Sequence, residues 1–151
     1  MKIFIPNTQT INQDRRYFIK DDKFIKLDSN INRGLNEANT LKNLEHKYIQ
    51  KYINSYCENG VHVLETELFK GETLENSRIE KNQKDIISEQ LYSVYHYLRS
   101  KQIVHGDINV SNVLFDNKNI LIIDWETSRQ EDSSHDLDGH PWGILDLIKK
   151  M

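Results

Sequence analysis

The sequence is poor in the residues that cross-link small secreted domains or build tight phosphate-binding loops. Its 151 residues include one cysteine, Cys57, together with two prolines and six glycines. A single cysteine excludes a disulfide within the chain, so a packed core must hold the fold. Gly34 is the first glycine, so the residues before it contain no glycine-rich loop that could cradle phosphate with backbone N–H groups.

The chain also lacks a long apolar run and an excess of positive charge. It carries 20 Lys and Arg against 23 Asp and Glu, a net charge of −3, and its lysines are interspersed with acids. We therefore expect no membrane span and no nucleic-acid partner. The N-terminal residues show no secretory signal pattern, which predicts a cytoplasmic protein, and the length suits one domain or two small lobes that share a cleft.

Residues 105–126, HGDINVSNVLFDNKNILIIDWE, contain two short apolar runs around a polar, turn-forming cluster. This pattern predicts a β-hairpin. The expected facing pairs are Phe115 with Ile120, Leu114 with Leu121, and Val113 with Ile122. The open end of that hairpin brings Asn112 beside Ile123 and Asp124, and Asp107 can fold back over the same end. Three oxygen-bearing side chains are thus expected to converge beside an apolar β-layer.

The remaining pattern is that of an α+β protein. Strands are predicted over 2–5, 16–20, 23–27, 51–57 and 61–69, amphipathic helices over 33–49 and 82–102, and a short helix within 141–151. In the first helix Asn32 is the expected N-cap, and the expected apolar face consists of Leu35, Ala38, Leu41, Leu44 and Tyr48. The order predicts two lobes, a β-rich N-lobe with one helix over 1–71 and a minimal helical C-lobe over 72–151.

Several segments resemble motifs of the protein-kinase-like fold, and along the chain they occur in the order of that family. HGDINVSN, with Asp107 and Asn112, resembles the catalytic loop, and His105 is expected to brace that loop. IIDWE, with Asp124, resembles the metal-binding segment in the form seen in aminoglycoside phosphotransferases and choline kinases. KFIKL resembles the strand that carries the phosphate-pairing lysine, which would be Lys26.

Three further segments extend the resemblance along the chain. NEANTLKNLEHKYI resembles the helix with the partner glutamate, which would be Glu37. HVLETELFKGETL resembles the last N-lobe strand and hinge, with Glu67 and Phe69 in the adenine-facing backbone. DLDGHPWGIL resembles the start of the helix beneath the catalytic loop, with Asp138 and Gly143 in the family spacing.

The resemblance implies an ATP-dependent kinase that uses Mg²⁺ and a hydroxyl acceptor on a protein Ser/Thr, a small molecule or a sugar. Asp107 would be the catalytic aspartate, with Asn112 and Asp124 as metal ligands. Lys26 would hold the phosphates and take part in catalysis, and Glu37 would fix its position.

The sequence also departs from the family. Without a glycine-rich loop, the segment IPNTQTINQDRR must fill that role, through side chains that include Arg15 and Arg16. Gly106 stands where regulated protein kinases usually carry Arg, and few residues follow Glu126 before the next motif. These departures resemble minimal atypical kinases: the RIO-type, tRNA-modification-associated, lipopolysaccharide-core, aminoglycoside and choline kinases. They predict a truncated C-lobe.

Each assignment has an alternative. Asp107, Asn112 and Asp124 could be turn formers at strand ends. The chain could be a catalytically weak or inactive nucleotide-binding scaffold, which the missing glycine loop favours, or an interaction module without nucleotide. A zinc site could also be considered in the acidic loop, but the spacing favours ordinary loop residues for His135, Asp136, Asp138 and His140.

Two further expectations concern partners and folding. The helix over 82–102 carries a broad apolar stripe, which predicts self-association or a protein partner through the C-lobe; the stripe comprises Ile86, Ile87, Leu91, Tyr92, Val94, Tyr95 and Leu98. Replacing Lys26 by alanine is expected to weaken ATP binding more than folding, because a lysine at a strand end contributes little to a core.

Overall fold

The computed structural model describes residues 15–130 and 143–151. The predicted strand over 2–5 and the loop with His135, Asp136, Asp138 and His140 lie outside the described residues. The elements in chain order are β1 (Arg15–Lys20), β2 (Lys23–Asp28), α1 (Ile31–Lys42), β3 (Tyr52–Glu58), β4 (Val61–Glu67), β5 (Glu72–Thr73), a 3₁₀ turn (Leu74–Asn76), α2 (Lys81–Lys101), β6 (Ile103–Val104), β7 (Val113–Phe115), β8 (Ile120–Ile122), β9 (Arg129–Gln130) and α3 (Ile144–Lys150).

The N-terminal half is built on a four-stranded antiparallel sheet in the order β1-β2-β4-β3. β1 and β2 are joined at Asp21 and Asp22, which both have positive φ. Aspartate tolerates this left-handed backbone better than most residues, so the polar pair forms the turn that the sequence predicts. In β2, Lys26 pairs with Tyr17 on one side and Leu64 on the other. Lys26 therefore lies in the middle of the sheet.

Helix α1 begins earlier and ends earlier than the sequence pattern predicts. Its N-cap is Asn30, whose side chain accepts a hydrogen bond from the backbone N–H of Arg33, so the expected cap at Asn32 is wrong. The helix ends at Lys42 instead of continuing to residue 49. The side chain of Asn30 satisfies an N–H group that the first helical turn leaves free, and this decides where the helix starts.

The buried face of α1 also differs from the expected one. Leu35 is 41% exposed, and the buried residues of the helix are Gly34, Glu37, Ala38 and Leu41. A Cβ atom on Gly34 would lie 2.5 Å from the ring of His62, so only glycine allows the helix this close to β4. This close approach places the carboxylate of Glu37 at the sheet.

The hairpin of β7 and β8 has the predicted register, with Val113, Leu114 and Phe115 facing Ile122, Leu121 and Ile120. Its turn is closed by the carboxylate of Asp116, which accepts hydrogen bonds from the backbone N–H groups of Lys118 and Asn119. Gln90 of α2 joins helix and hairpin, since its amide accepts from the N–H of Ile120 and donates to the carbonyl of Lys118. The long helix thereby fixes the hairpin.

One apolar cluster connects α1, the sheet, α2, the hairpin and α3. The four-stranded sheet with one helix in the first half, and the helices with the hairpin in the second, confirm the predicted α+β, two-lobed architecture. The expected stripe of α2 is buried at Ile87, Leu91, Val94, Tyr95 and Leu98, while Ile86 and Tyr92 are exposed. β5 pairs with β7, which makes residues 72–73 part of the second sheet. The exact boundary at residue 71 stays a prediction.

Within 15–130 and 143–151, no helix is long and apolar enough to cross a bilayer.

Candidate active site

Lys26 lies at the centre of three carboxylates that come from distant parts of the chain. Its Nζ atom is 2.9 Å from Glu37 Oε1, 3.3 Å from Asp124 Oδ1 and 2.8 Å from Glu126 Oε2. The lysine side chain is only 6% exposed. A buried ammonium group loses its hydration and needs such partners. The expectation of a strand-end lysine with little part in the core is therefore wrong, since Lys26 is buried in the middle of β2.

Glu37 ties this lysine to the segment that carries Asp124. Its second carboxylate oxygen accepts a 2.7 Å hydrogen bond from the backbone N–H of Trp125. The Trp125 ring is fully buried, and its Nε1 donates to the carbonyl of Ile122. Asp124, next to it, has φ of +64°, an uncommon conformation for a residue with a side chain. Packing of Trp125 and its bond to Glu37 hold Asp124 in this conformation.

Charge and burial act in opposite directions on the ionised groups of the cluster. Burial by itself lowers the pKa of Lys26, but Glu37 and Asp124 outweigh it and hold that pKa well above its ordinary value. Burial raises the pKa of Glu37, and the attraction of Lys26 opposes this. Glu37 receives only donors, from Lys26 and from Trp125 N–H, which is the pattern of a carboxylate. We therefore treat the pair as ionised near neutral pH.

Glu126 is a member of the cluster that the sequence reasoning did not single out. Its Oε2 atom contacts Lys26, and its Oε1 atom lies 2.8 Å from an Nη atom of Arg15 in β1. The only sequence signal was an acidic residue two positions after Asp124. Arg33 lies 3.9 Å from Glu126 and forms a bidentate pair with Asp28. Glu126 thus links β1 to the Lys26 cluster.

The loop around Asp107 is braced by His105, as the sequence suggests. His105 Nδ1 accepts a hydrogen bond from Asp107 N–H, and its Nε2 contacts the carbonyl of Ile123 at 2.8 Å. Burial lowers the pKa of His105, so the ring is neutral and donates its Nε2 proton to that carbonyl. Gly106 has φ of +96°, and a Cβ there would lie 2.6 Å from the carbonyl oxygen of Thr127. Only glycine fits this turn.

Asp107 and Asn112 lie in direct contact. Asn112 Nδ2 donates to the Asp107 backbone carbonyl at 2.9 Å and to its carboxylate at 3.2 Å, and Asn109 Nδ2 donates to the other carboxylate oxygen at 3.0 Å. The backbone N–H of Ile123 donates to the carbonyl of Asn112. The open end of the hairpin therefore brings Asn112 beside Ile123, as the register predicts.

Five of the seven predicted site residues line one cleft of about 210 Å³ between the sheet and the hairpin: Lys26, Glu37, Asp107, Asn112 and Asp124. The other two, Glu67 and Phe69, line a smaller apolar cavity with Leu114 and Leu121. The two cavities adjoin, because Phe24, Gln50 and Ile123 line both. The Glu67 carboxylate is largely exposed and 3.9 Å from Lys51 Nζ, so that side chain is not part of the Lys26 cluster.

The charges of the cleft fit a nucleotide bound together with a divalent cation. Two cations and three carboxylates line the cleft, an excess of one negative charge: Lys26 and Arg15 against Glu37, Asp107 and Asp124. A polyphosphate without a metal would be repelled by this excess, whereas Mg²⁺ would offset it.

The donor atoms fit magnesium as well. The amide hydrogens of Asn112 are directed at Asp107, which leaves its amide oxygen for a cation, and Asp124 offers a partly exposed carboxylate. Among the described residues no group of three His, Cys, Asp or Glu side chains is arranged to hold a metal ion. A pair of oxygen ligands is nevertheless typical of Mg²⁺ sites, where phosphates and waters complete the shell.

Comparisons with known proteins agree with this geometry. Residues 10–142 match the family model described as protein kinase domain, so the chain belongs to the protein kinase domain family. It is 32% identical over 96 residues to the serine/threonine-protein kinase stk11 homolog of Dictyostelium discoideum, covering 58% of this chain and 16% of that protein.

Two further relatives match other lengths of the chain. Calcium-dependent protein kinase 5 of Plasmodium berghei is 29% identical over 134 residues, 81% of this chain and 24% of that protein. Spermatocyte protein spe-8 of Caenorhabditis elegans is 28% identical over 95 residues, 59% of this chain and 19% of that protein. The matches thus span less than a quarter of the length of these curated relatives.

Proposed function

We propose that this chain is an ATP-dependent phosphotransferase that transfers the γ-phosphate to a hydroxyl acceptor. The observation that carries the proposal is the contact of Lys26 with both Glu37 and Asp124, in the same cleft as Asp107 and Asn112. Phosphoryl transfer depends mainly on positioning and on neutralising negative charge, and this cleft offers groups for both.

The residues divide into those for the nucleotide and those for the metal. Bound Mg-ATP would supply the transferable phosphoryl group and the metal that neutralises its charge. Lys26 would hold phosphate oxygens, with Glu37 keeping its ammonium in place, and Asp124 and Asn112 would hold the metal. The base would lie at the opening of the apolar cavity to the cleft, on the side of Glu67 and Phe69. In this proposal residues 1–71 form the N-lobe and residues 72–151 the C-lobe.

Asp107 would act on the acceptor. Its carboxylate is held by the amides of Asn109 and Asn112, which fix the direction of both oxygens. A carboxylate in that position can orient an acceptor hydroxyl and accept its proton. The acceptor is a protein Ser/Thr hydroxyl or a small alcohol or sugar, and the atypical-kinase subtype stays a prediction.

One observation favours the alternative of a catalytically weak or inactive nucleotide-binding scaffold. Lys26 already has three carboxylate partners, and Glu126 also holds Arg15. Phosphates would have to compete with Glu126 and Asp124 for the same ammonium group. Strong competition would lower the affinity for nucleotide and slow transfer.

Binding and transfer measured in parallel test these proposals. Mg-ATP binding is followed by calorimetry, and transfer by γ-labelled ATP with the protein itself, a cell lysate and small alcohols as acceptors. Asp124→Asn should lose metal-dependent binding because it removes a carboxylate from the metal. Asp107→Asn should keep binding and slow transfer by about 100-fold or more. Asp85→Asn, an exposed position on α2, is the matched control and should behave like wild type.

The outcomes separate the alternatives. Binding without transfer by the wild-type protein would support the scaffold, and no Mg-ATP binding would support an interaction module. If Asp107→Asn and Asp124→Asn both behaved like Asp85→Asn, the site assignment would be wrong. Self-association through the C-lobe and a cytoplasmic location stay predictions; light scattering over a concentration series tests the first.

A further inference from the structure

Gln50 is a buried polar residue to which neither the sequence motifs nor the proposed mechanism gives a role. It lies between α1 and β3, is only 5% exposed, and its backbone N–H donates to the carbonyl of Ile122. Its side-chain oxygen, Oε1, has no hydrogen-bond partner among the described residues. An acceptor buried in this way typically costs about 1–3 kcal/mol of stability. Such a cost is often associated with a functional site.

The orientation of the Gln50 amide follows from its neighbours. Gln50 Nε2 donates a 3.0 Å hydrogen bond to Thr66 Oγ1, and the Thr66 hydroxyl donates a longer one, of 3.5 Å, to the carbonyl of Phe24. Because Thr66 has one proton and uses it on Phe24, its oxygen accepts from Gln50. The oxygen of the amide is therefore the atom left without a partner.

Gln50 stands where the charged cleft and the apolar cavity meet, since it lines both. Its neighbours in the apolar cavity are mostly hydrophobic, and among the described lining residues Gln50 is the only buried polar one; the others are Phe24, Glu67, Phe69, Leu114, Leu121 and Ile123. The apolar cavity alone has a volume of only about 20 Å³, so a flat heteroaromatic ring would lie across its opening to the cleft of about 210 Å³, with an N–H donor facing Gln50.

We infer that Gln50 Oε1 accepts a hydrogen bond from the exocyclic amino group of adenine and so selects the nucleobase. This inference rests on the proposed function, because it places the base of the nucleotide at the opening of the apolar cavity to the cleft. The amino group has two N–H donors, so one can bond to Gln50 while the other bonds to a backbone carbonyl at the end of β4. A base without the amino group leaves the buried oxygen of Gln50 unpaired.

The test compares Mg-ATP with Mg-purine riboside triphosphate, which lacks the amino group, by calorimetry. Wild type should bind ATP more tightly. In Gln50→Met, which keeps the length of the side chain and removes the acceptor, the ratio of the two affinities should fall about tenfold. Bonds from the amino group to the backbone are common to both proteins and cancel in the change of ratio. Gln130→Met, at an exposed position of β9, should keep the wild-type ratio.

Each result bears on the inference separately from the proposed function. If wild type binds both nucleotides equally well, or if Gln50→Met keeps the wild-type ratio, the inference is wrong while the proposed function stands. If wild type binds neither nucleotide, both are wrong. Gln50→Leu, which also removes the acceptor, is the second variant, so that the change of ratio can be measured if Gln50→Met folds poorly. The wild-type comparison alone can only contradict the inference, because a bond from the amino group to the backbone also favours ATP.

Discussion

The two ends of the cleft satisfy their polar groups in opposite ways. At the charged end, Lys26 has three carboxylate partners from α1 and the segment after the hairpin. At the apolar end, hydrophobic side chains surround the amide of Gln50, whose oxygen has no partner among the described residues. The charged end thus pairs its lysine with carboxylates, although Arg15 Nε there has no hydrogen-bond partner among the described residues, and the apolar end leaves an uncharged acceptor unpaired.

This difference bears on how a ligand would bind at each end. A phosphate that contacts Lys26 replaces an existing ion pair, so the binding free energy gained there is only the difference between two strong interactions. A base that donates to Gln50 adds a hydrogen bond where none exists. The binding free energy gained there therefore also includes the cost of the unpaired acceptor, which the bond removes. We therefore expect the charged end to contribute most to the positioning of groups and the apolar end most to base selectivity.

The largest effect should come from breaking the charged end. Lys26→Met should destabilise the protein by about 3–5 kcal/mol, because Glu37 is left buried without its cation. The measurement is urea unfolding followed by tryptophan fluorescence. Lys23→Met is the matched control on the same strand, since Lys23 is 38% exposed and 3.2 Å from Glu65. It should cost less than about 1 kcal/mol. Equal losses of unfolding free energy in Lys26→Met and Lys23→Met would show that burial does not decide how much a lysine ion pair contributes to stability.

A smaller effect should come from the apolar end. Leu121 is buried against Leu114, Ile123 and Phe69, so Leu121→Ala should cost about 2–3 kcal/mol through lost burial and the cavity left behind. The same unfolding assay applies. Leu35→Ala removes the same atoms from an exposed position of α1 and should cost less than about 0.5 kcal/mol. A large loss in Leu35→Ala would show that the predicted helix face, and not the observed one, is right.

His105, which braces the loop around Asp107, should make stability depend on pH. Burial lowers the pKa of His105 below its ordinary value of 6.5. Below about pH 6.5 the unfolded chain therefore binds a proton at this histidine that the folded chain does not bind. The contribution of His105 is complete above that pH and declines as the pH falls toward the folded-state pKa.

Urea unfolding between pH 5 and pH 8 measures this dependence. The decline in wild type should be reduced in His105→Asn and unchanged in His96→Asn, which replaces an exposed histidine of α2. The pKa of Glu37 is raised by burial, so its contribution to stability grows as the pH falls, opposite to that of His105. The pH dependence of wild type is therefore compared with that of each variant and not interpreted alone. An identical slope in wild type and His105→Asn would contradict a buried neutral histidine.

The smallest effect should be found at the edge of the apolar cavity. Lys51 and Glu67 are 3.9 Å apart and both side chains are more than half exposed, so their ion pair is screened by water. Lys51→Gln should change the free energy of unfolding by less than about 0.5 kcal/mol, with no dependence on added salt. A loss comparable to that of Lys26→Met would show that exposure does not separate the two kinds of ion pair.

Features set by neighbouring residues could be predicted from the sequence. The register of β7 and β8 follows from two apolar runs around four polar residues, and the turn at Asp21 and Asp22 follows from two residues that tolerate positive φ. The buried stripe of α2 follows from its three- and four-residue spacing. In α1 the same spacing misplaced Leu35, because the competing cap at Asn30 and the close contact of Gly34 with His62 set the helix position.

The sequence by itself determined the hairpin, the presence of Asn112 and Asp124 in one cleft, and the motifs from Lys26 to Asp124 that indicated the family. These features depend on the order and spacing of residues, because neighbouring residues along the chain fix the local backbone geometry. Only the tertiary structure decided that Lys26 is buried and that Glu126, 100 residues further along the chain, is one of its carboxylate partners. It also decided that the Gln50 oxygen lacks a partner among the described residues. Burial and long-range pairing arise only when α1, the sheet and the hairpin pack together, because desolvation depends on every surrounding element.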